Sequence, residues 1–246
     1  MCVNNKKRKG EIKLKNKAIG QVGPYRIVSL SKIIDPATEK RRCVVRRHKK
    51  SALGVTDYHS DIDIASHLGT HLEAPYHLRD DLKDIAGLSP DRFIGRCVLL
   101  RLATCQPRAL ITRKDLDAAD GGVVRSDDIV LLDSRFHHEP FTPGPDDQRP
   151  QLSRESAEWF RDHGVKSVGF GDGIAIENNP EECVAFHDIL MPRDVTFIEV
   201  LQNLDQLSHK VFLLVCLPLP IRGLDASPVH VVAIEGVPGF MTDEKG

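Results

Sequence analysis

Three imidazoles and one carboxylate crowd into a single short segment of this chain, His67-Leu-Gly-Thr-His71-Leu-Glu73-Ala-Pro-Tyr-His77. In extended backbone, side chains two apart share a face, so His67, His71, Glu73 and His77 could all look the same way. Gly69 and Pro75 fall on the same parity. The glycine permits a tight turn or a close backbone approach to an ion. The proline ends ladder hydrogen bonding and stiffens the exit. Imidazole and carboxylate together suit zinc, manganese, iron and similar divalent ions, and do not suit an all-oxygen calcium loop. The spacing is not that of His-Glu-x-x-His or another standard zinc pattern. Surface or packed histidines are the competing reading.

The elements around this segment decide what else can reach it. Val195 to Leu201 reads as a strand in which Glu199 stands among Phe197, Ile198, Val200 and Leu201. A glutamate in such an apolar run needs a partner, and a metal, an arginine or a hydrogen-bond network would each serve. Asn179-Pro180-Glu-Glu182 is a helix start, with a capping Asn, Pro at the first helical position and Glu at the third, which puts His187 inside a helix ending near Met191. Thr112 to Asp115 and Ser153 cap two more helices. Strands are expected at 25–30, 56–66, 93–102, 127–133, 165–170, 210–219 and 227–235. Residues 41–48 read as an edge strand whose arginines discourage further pairing. Residues 134–152 carry four prolines, and a loop of that length is either an active-site wall or a surface excursion. His137 and His138 within it read as polar loop residues. The glycine-rich 169–173 lacks dinucleotide or P-loop spacing and reads as a strand-end turn.

Strands and short helices interleave with no linker between them, which predicts one α/β domain with a largely mixed sheet over residues 23–246. Residues 1–22 are lysine-rich and read as a basic, flexible extension. With 34 Lys+Arg against 35 Asp+Glu the chain has no excess charge to draw it to nucleic acid or acidic membranes. Aromatics at 5 % are too sparse for a base-stacking platform. The six cysteines contain no C-x-x-C pair and read as reduced thiols. No apolar run reaches membrane-spanning length and no signal peptide is visible, so the expected location is cytoplasmic.

Residues 67–77 resemble the His-x-Gly-Thr-His-x-Asp-x-Pro-x-His signature of the cyclase-like metal hydrolases, a family that includes bacterial kynurenine formamidase, isatin hydrolase and polyketide cyclases. The likeness continues through His187-Asp-Ile-Leu190, Ile198-Glu199, Asn203-Leu-Asp205, Pro218-Leu-Pro-Ile221 and Ser227-Pro-Val229. It implies a swivelling β/β/α fold, a homodimer or homotetramer, and one or two divalent ions, zinc or manganese. By this resemblance His67, His71, Glu73, His187 and Glu199 are metal ligands, and His77 shuttles protons. Glu73 replaces the family's Asp, Leu78 its usual aromatic, and His230 an arginine found in many relatives.

The implied chemistry is hydrolysis of a carbon–nitrogen bond in a small molecule by metal-activated water. The first expectation is an arylformamidase, releasing formate from N-formylkynurenine in tryptophan catabolism. The alternatives are isatin hydrolase-like opening of a cyclic amide or lactone, a polyketide cyclase or dehydratase, and a non-catalytic metal-binding relative.

Overall fold

The computed structural model describes residues 18–240. The described chain opens with a hairpin, β1 (Ile19–Val22) and β2 (Tyr25–Ser29), then a longer one, β3 (Cys43–Ala52) and β4 (Val55–Ile64), then the short β5 (His71–Glu73). Strands and helices next alternate: β6 (Ile94–Arg101), α1 (Arg113–Asp120), β7 (Ile129–Asp133), α2 (Arg154–His163), β8 (Ser167–Gly171), α3 (Pro180–Leu190) and β9 (Thr196–Leu201). Three further strands follow, β10 (Val211–Cys216), β11 (Ala226–Pro228) and β12 (Val231–Glu235).

Ten of these strands form one mixed sheet in the order β1-β2-β12-β10-β6-β7-β8-β9-β5-β11. The centre, β6 to β9, is parallel, and each crossover carries one helix. Both wings are antiparallel. All five residues of β7 and of β8 are buried, as expected of strands covered on both faces. One apolar cluster joins the sheet to Leu116 of α1, Trp159 and Phe160 of α2 and Phe186 of α3. A second cluster lies on the opposite face and brings Val28 and Leu30 of the β2 region together with Leu72, Leu131, Ile198 and Leu214. A bridge between Ser31 and Leu201 ties the segment after β2 to the end of β9. The result is the mixed α/β domain read from the sequence.

The helices begin where their caps predict. Thr112 and Asp115 form a capping box, as do Ser153 and Ser156, and Asn179 accepts from the amides of Glu181 and Glu182.

Four expectations change. The motif segment is strand only at 71–73, because Gly69 turns the chain before it and Pro75 opens a 3-10 turn after it. Residues 43–52 are not at the edge of the main sheet; they pair solely with β4 in a separate two-stranded ribbon. The single strand expected at 227–235 is split into β11 and β12, which lie on opposite wings. Residues 19–22, assigned to the extension, pair with β2, while residues 1–17 of that extension lie outside the described residues. Among the described residues no helix is long and apolar enough to cross a membrane.

Candidate metal centre

β5 lies antiparallel to β9, with His71 opposite Glu199 and Glu73 opposite Phe197. Directly opposed residues share a face, so pairing alone sets His71, Glu73 and Glu199 on one side of the sheet. Gly69 has φ +59°, and a Cβ there would come within 2.8 Å of the Ile34 side chain. The turn it permits folds His67 back over His71, with His67 Nδ1 3.1 Å from His71 Nε2 and 2.9 Å from Glu73 Oε1. His71 Nε2 is 3.5 Å from Glu73 Oε1 and 3.7 Å from Glu199 Oε2. His77, at the end of the 3-10 turn, places Nε2 3.9 Å from Glu73 Oε1. His187, in the last turn of α3, places Nε2 3.8 Å from Glu73 Oε2. All six residues singled out in the sequence therefore converge, and Glu73 is their hub.

Second partners fix the imidazole rings. His71 Nδ1 sits 2.9 Å from the Gly69 carbonyl, and His187 Nδ1 2.7 Å from the Cys183 carbonyl. Each Nδ1–H donates outward, so each Nε2 faces the cluster, where on losing its proton it would offer a lone pair to a cation. Val200, directly after Glu199, holds φ +59°, a costly conformation for a β-branched residue. Its carbonyl accepts from Thr70 Oγ1 at 2.7 Å, so the backbone beside Glu199 is held bent by a contact from the motif segment.

The protonation of the buried groups depends strongly on their neighbours. Burial acts to raise the Glu73 carboxyl, but the imidazoles of His187, His67 and His71 outweigh it and hold the group well below its ordinary range. Burial pushes Glu199 well above that range, and the Glu73 charge pushes it further. Burial works against the charged form of His187, yet Cys183 and Glu73 carry it up to about 10. Glu73 Oε2 is buried and has no hydrogen-bond partner, a costly state for a carboxylate oxygen.

A divalent cation fits these residues. The donors His67/His71/Glu73 and Glu73/His77/His187 each lie within 4.8 Å of one another. Ligand atoms about 2.1 Å from one ion stand roughly 3–4.2 Å apart. Two facing imidazole nitrogens and an orphaned carboxylate oxygen are what a cation would satisfy.

One residue was missed by the sequence reading. Asp225 Oδ2 is 2.8 Å from His67 Nε2 and 3.4 Å from His77 Nδ1. Burial tends to raise this carboxyl, but His67, Ser66 and His77 bring it down to about 2. Asp225 sits in a loop and reaches the centre because β11 pairs with β5, Ala226 opposite Glu73. His230 lies elsewhere: it is exposed, with Nε2 2.9 Å from Ser29 Oγ. Leu78 packs against the helix-side core.

The centre opens into a cavity of about 520 Å³ whose walls include Arg41, Phe141, Ile176 and Cys183. Phe141 belongs to the proline-rich loop, which thus forms a wall of the site. Its amide donates to Glu177 Oε1, and Arg41 stacks 4.6 Å from its ring centre. Glu177 also accepts from Arg149, a fully buried guanidinium held by Asp147.

Fold and donor set together define a single-domain α/β protein built around a candidate divalent-metal centre. The chain belongs to the family described as "Putative cyclase", whose pattern matches residues 25–178. At family level it is a metal-dependent hydrolase or cyclase. It is 28 % identical over 177 residues to a kynurenine formamidase of Bordetella petrii, covering 72 % of this chain and 80 % of that protein. It is also 28 % identical over 172 residues to one of Erythrobacter litoralis, covering 70 % and 74 %. Among solved structures, isatin hydrolase A from Labrenzia aggregata shares the fold with a TM-score of 0.71 at 21 % identity, over 86 % of this chain and 94 % of that one. Isatin hydrolase A from Ralstonia solanacearum gives 0.69 at 19 % identity, over 86 % and 92 %.

Proposed function

We propose that this chain hydrolyses a carbon–nitrogen bond of a small molecule, with a cyclic amide as the leading substrate class. His67, His71, Glu73, His187 and Glu199 would hold one or two divalent ions, zinc or manganese by the character of the donors. The observation that carries the reading is the convergence of His67, His71 and His187 on Glu73, whose buried Oε2 has no hydrogen-bond partner, with Glu199 beside His71. When bound, the metal supplies Lewis acidity, which acidifies water and polarises an amide carbonyl.

The remaining work falls to side chains. His77 is exposed and lines the cavity, so its Nε2 can take the proton of the attacking water and return it to the departing nitrogen. Asp225, against His77 Nδ1, keeps that nitrogen protonated and Nε2 free to accept. The water oxygen bonds to the carbonyl carbon, the C–N bond breaks, and the proton ends on nitrogen. In a cyclic amide the acid and amine stay in one product molecule. Phe141 and Ile176 offer a flat apolar wall suited to a planar ring.

Hydrolysis of an aryl formamide is the second reading. The same centre would serve it, and the likeness to kynurenine formamidases supports it.

The test is metal analysis of purified protein together with turnover of isatin, simple lactones and N-formylkynurenine. Stoichiometric divalent metal and turnover of a cyclic substrate, abolished by chelation and restored by metal, is the expected result. Preference for N-formylkynurenine selects the second reading. Full turnover after verified metal removal overturns both.

A further inference from the structure

A second cavity, of about 430 Å³, shares no wall residue with the metal cavity. Its volume suits a small molecule. Its walls carry two guanidiniums, Arg108 and Arg149, against the single carboxylate of Asp147. The metal cavity has the opposite balance, with Arg41 against Glu73, Glu177 and Glu199.

Arg149 and Asp147 are both buried and neutralise each other at 2.8 Å. The uncompensated charge is that of Arg108. Its Nε donates to the Asp147 carbonyl at 2.7 Å and its Nη2 to the carbonyls of Gly144 and Pro145, while Nη1 makes none of these bonds. Among the described residues Arg108 forms no ion pair. Its backbone holds φ +58°, a strained conformation of the kind found in ligand clamps. The guanidinium is thus fixed in place with one nitrogen to spare. A second wall residue, Gln151, is also incomplete. Its Nε2 donates to the Ile176 carbonyl at 2.8 Å, which fixes the orientation of the amide, and its Oε1 is buried with no hydrogen-bond partner.

We infer that this cavity binds a small organic carboxylate that also carries an N–H donor, the carboxylate meeting Arg108 and the donor meeting Gln151. Ring-opening of a cyclic amide leaves that pair of groups on one molecule, so on the hydrolase reading above the occupant is the product. The site is wired to the metal cavity. Arg149 Nη2 donates to Asp147 on one side and to Glu177 Oε1, at 2.7 Å, on the other. Glu177 in turn accepts the Phe141 amide at 2.8 Å and the Ile176 amide at 3.0 Å. Phe141 and Ile176 are the apolar walls of the metal cavity, and Phe141 itself holds φ +60°, a conformation that needs such support. A ligand on Arg108 and Gln151 therefore bears on both walls and stiffens them.

Calorimetric titration of the zinc-loaded full chain with 2-aminobenzoate tests the inference, with benzoate (no donor) and aniline (no charge) as controls. One equivalent of 2-aminobenzoate should bind, with the controls at least tenfold weaker. Arg108→Met should weaken binding at least tenfold. Leu110→Trp, which fills the mouth and leaves the Arg108 bonds intact, should abolish it, with zinc content unchanged in both variants. Binding should survive zinc removal, which separates this cavity from the metal centre. Amide hydrogen exchange at Phe141 and Ile176 should slow in the complex. Absence of saturable binding, its loss on chelation, equal affinity for benzoate, or its persistence in both variants overturns the inference, as does binding that leaves those two amides unchanged. None of these readouts needs turnover, so a chain that binds 2-aminobenzoate here yet opens no cyclic amide sinks the hydrolase reading alone.

Discussion

Two antiparallel strand pairs in this molecule could hardly differ more. The β5–β9 pair matches only three residues of β5 against β9, yet every residue of both strands is buried, and it carries three ionisable groups, His71, Glu73 and Glu199. The β3–β4 pair matches ten residues a strand, is almost wholly exposed, and sets Arg46 opposite Asp61 and Lys50 opposite Asp57. Length contributes little to the first and burial little to the second. A buried ionisable group must find a partner or shift its protonation, and around Glu73 and Glu199 both happen. An exposed ion pair is screened by water and changes little. The same residue types therefore make chemistry in one pair and solubility in the other.

Breaking the buried pair should have the largest effect. His71→Ala removes a fully buried imidazole from the centre. Metal content should fall below stoichiometric and turnover by on the order of a thousandfold, the equivalent of several kcal/mol of transition-state stabilisation. Retention of both would divorce β5 from the chemistry.

Asp225→Asn tests the reach of the same centre through its neighbour. It weakens the hold on His67 and His77 without touching the carboxylates on β5 and β9. Metal affinity should drop by about 10- to 100-fold, as read by competition with a chromophoric chelator, with kcat falling as well. A variant that loses kcat alone would place Asp225 with His77 rather than with His67.

Glu199→Gln sharpens the comparison because its effect depends on pH. In metal-free protein burial raises the Glu199 carboxyl, so the folded state keeps a proton that the unfolded chain releases. Wild-type stability must then fall as pH climbs from the ordinary carboxylate range towards the raised one, by up to about 1.4 kcal/mol per pH unit. The glutamine has no proton to lose. Metal-free Glu199→Gln should gain on wild type in urea melts between pH 5 and 8, while metal binding suffers. A difference that stays constant across that range would remove Glu199 from the account.

The smallest effect belongs to the charged pairs of the ribbon. Lys50→Ser should change unfolding free energy by less than about 0.5 kcal/mol. A loss several times larger would mean that the two pairs are not so unlike.

The same contrast explains what could be read in advance. Patterns that act locally were legible. Thr112, Ser153 and Asn179 announced their helices because a cap bonds within its own turn. Glu199 announced itself by being charged within an apolar run. The strand parity of 67–77 was legible only in part, since Gly69 and Pro75 interrupt it, and His67 and His77 reach Glu73 from turns instead. Asp225 was invisible because it sits in a loop with no periodicity and is delivered by β11 pairing with β5. The ribbon was half legible: both strands could be found, but their separation from the main sheet depends on tertiary packing that no local pattern encodes.

The opposition of His71 and Glu199 has a consequence for how the chain reaches its native state. About half of the sequence, including the first three strands of the parallel centre, lies between β5 and β9, so their pairing is long-range and slow, and the cluster closes late. Until then residues 67–77 are an unstructured peptide with three imidazoles, able to capture a cation on their own. Order of addition should therefore matter in refolding: metal supplied after the chain has collapsed completes the centre, and metal in excess from the start retards it.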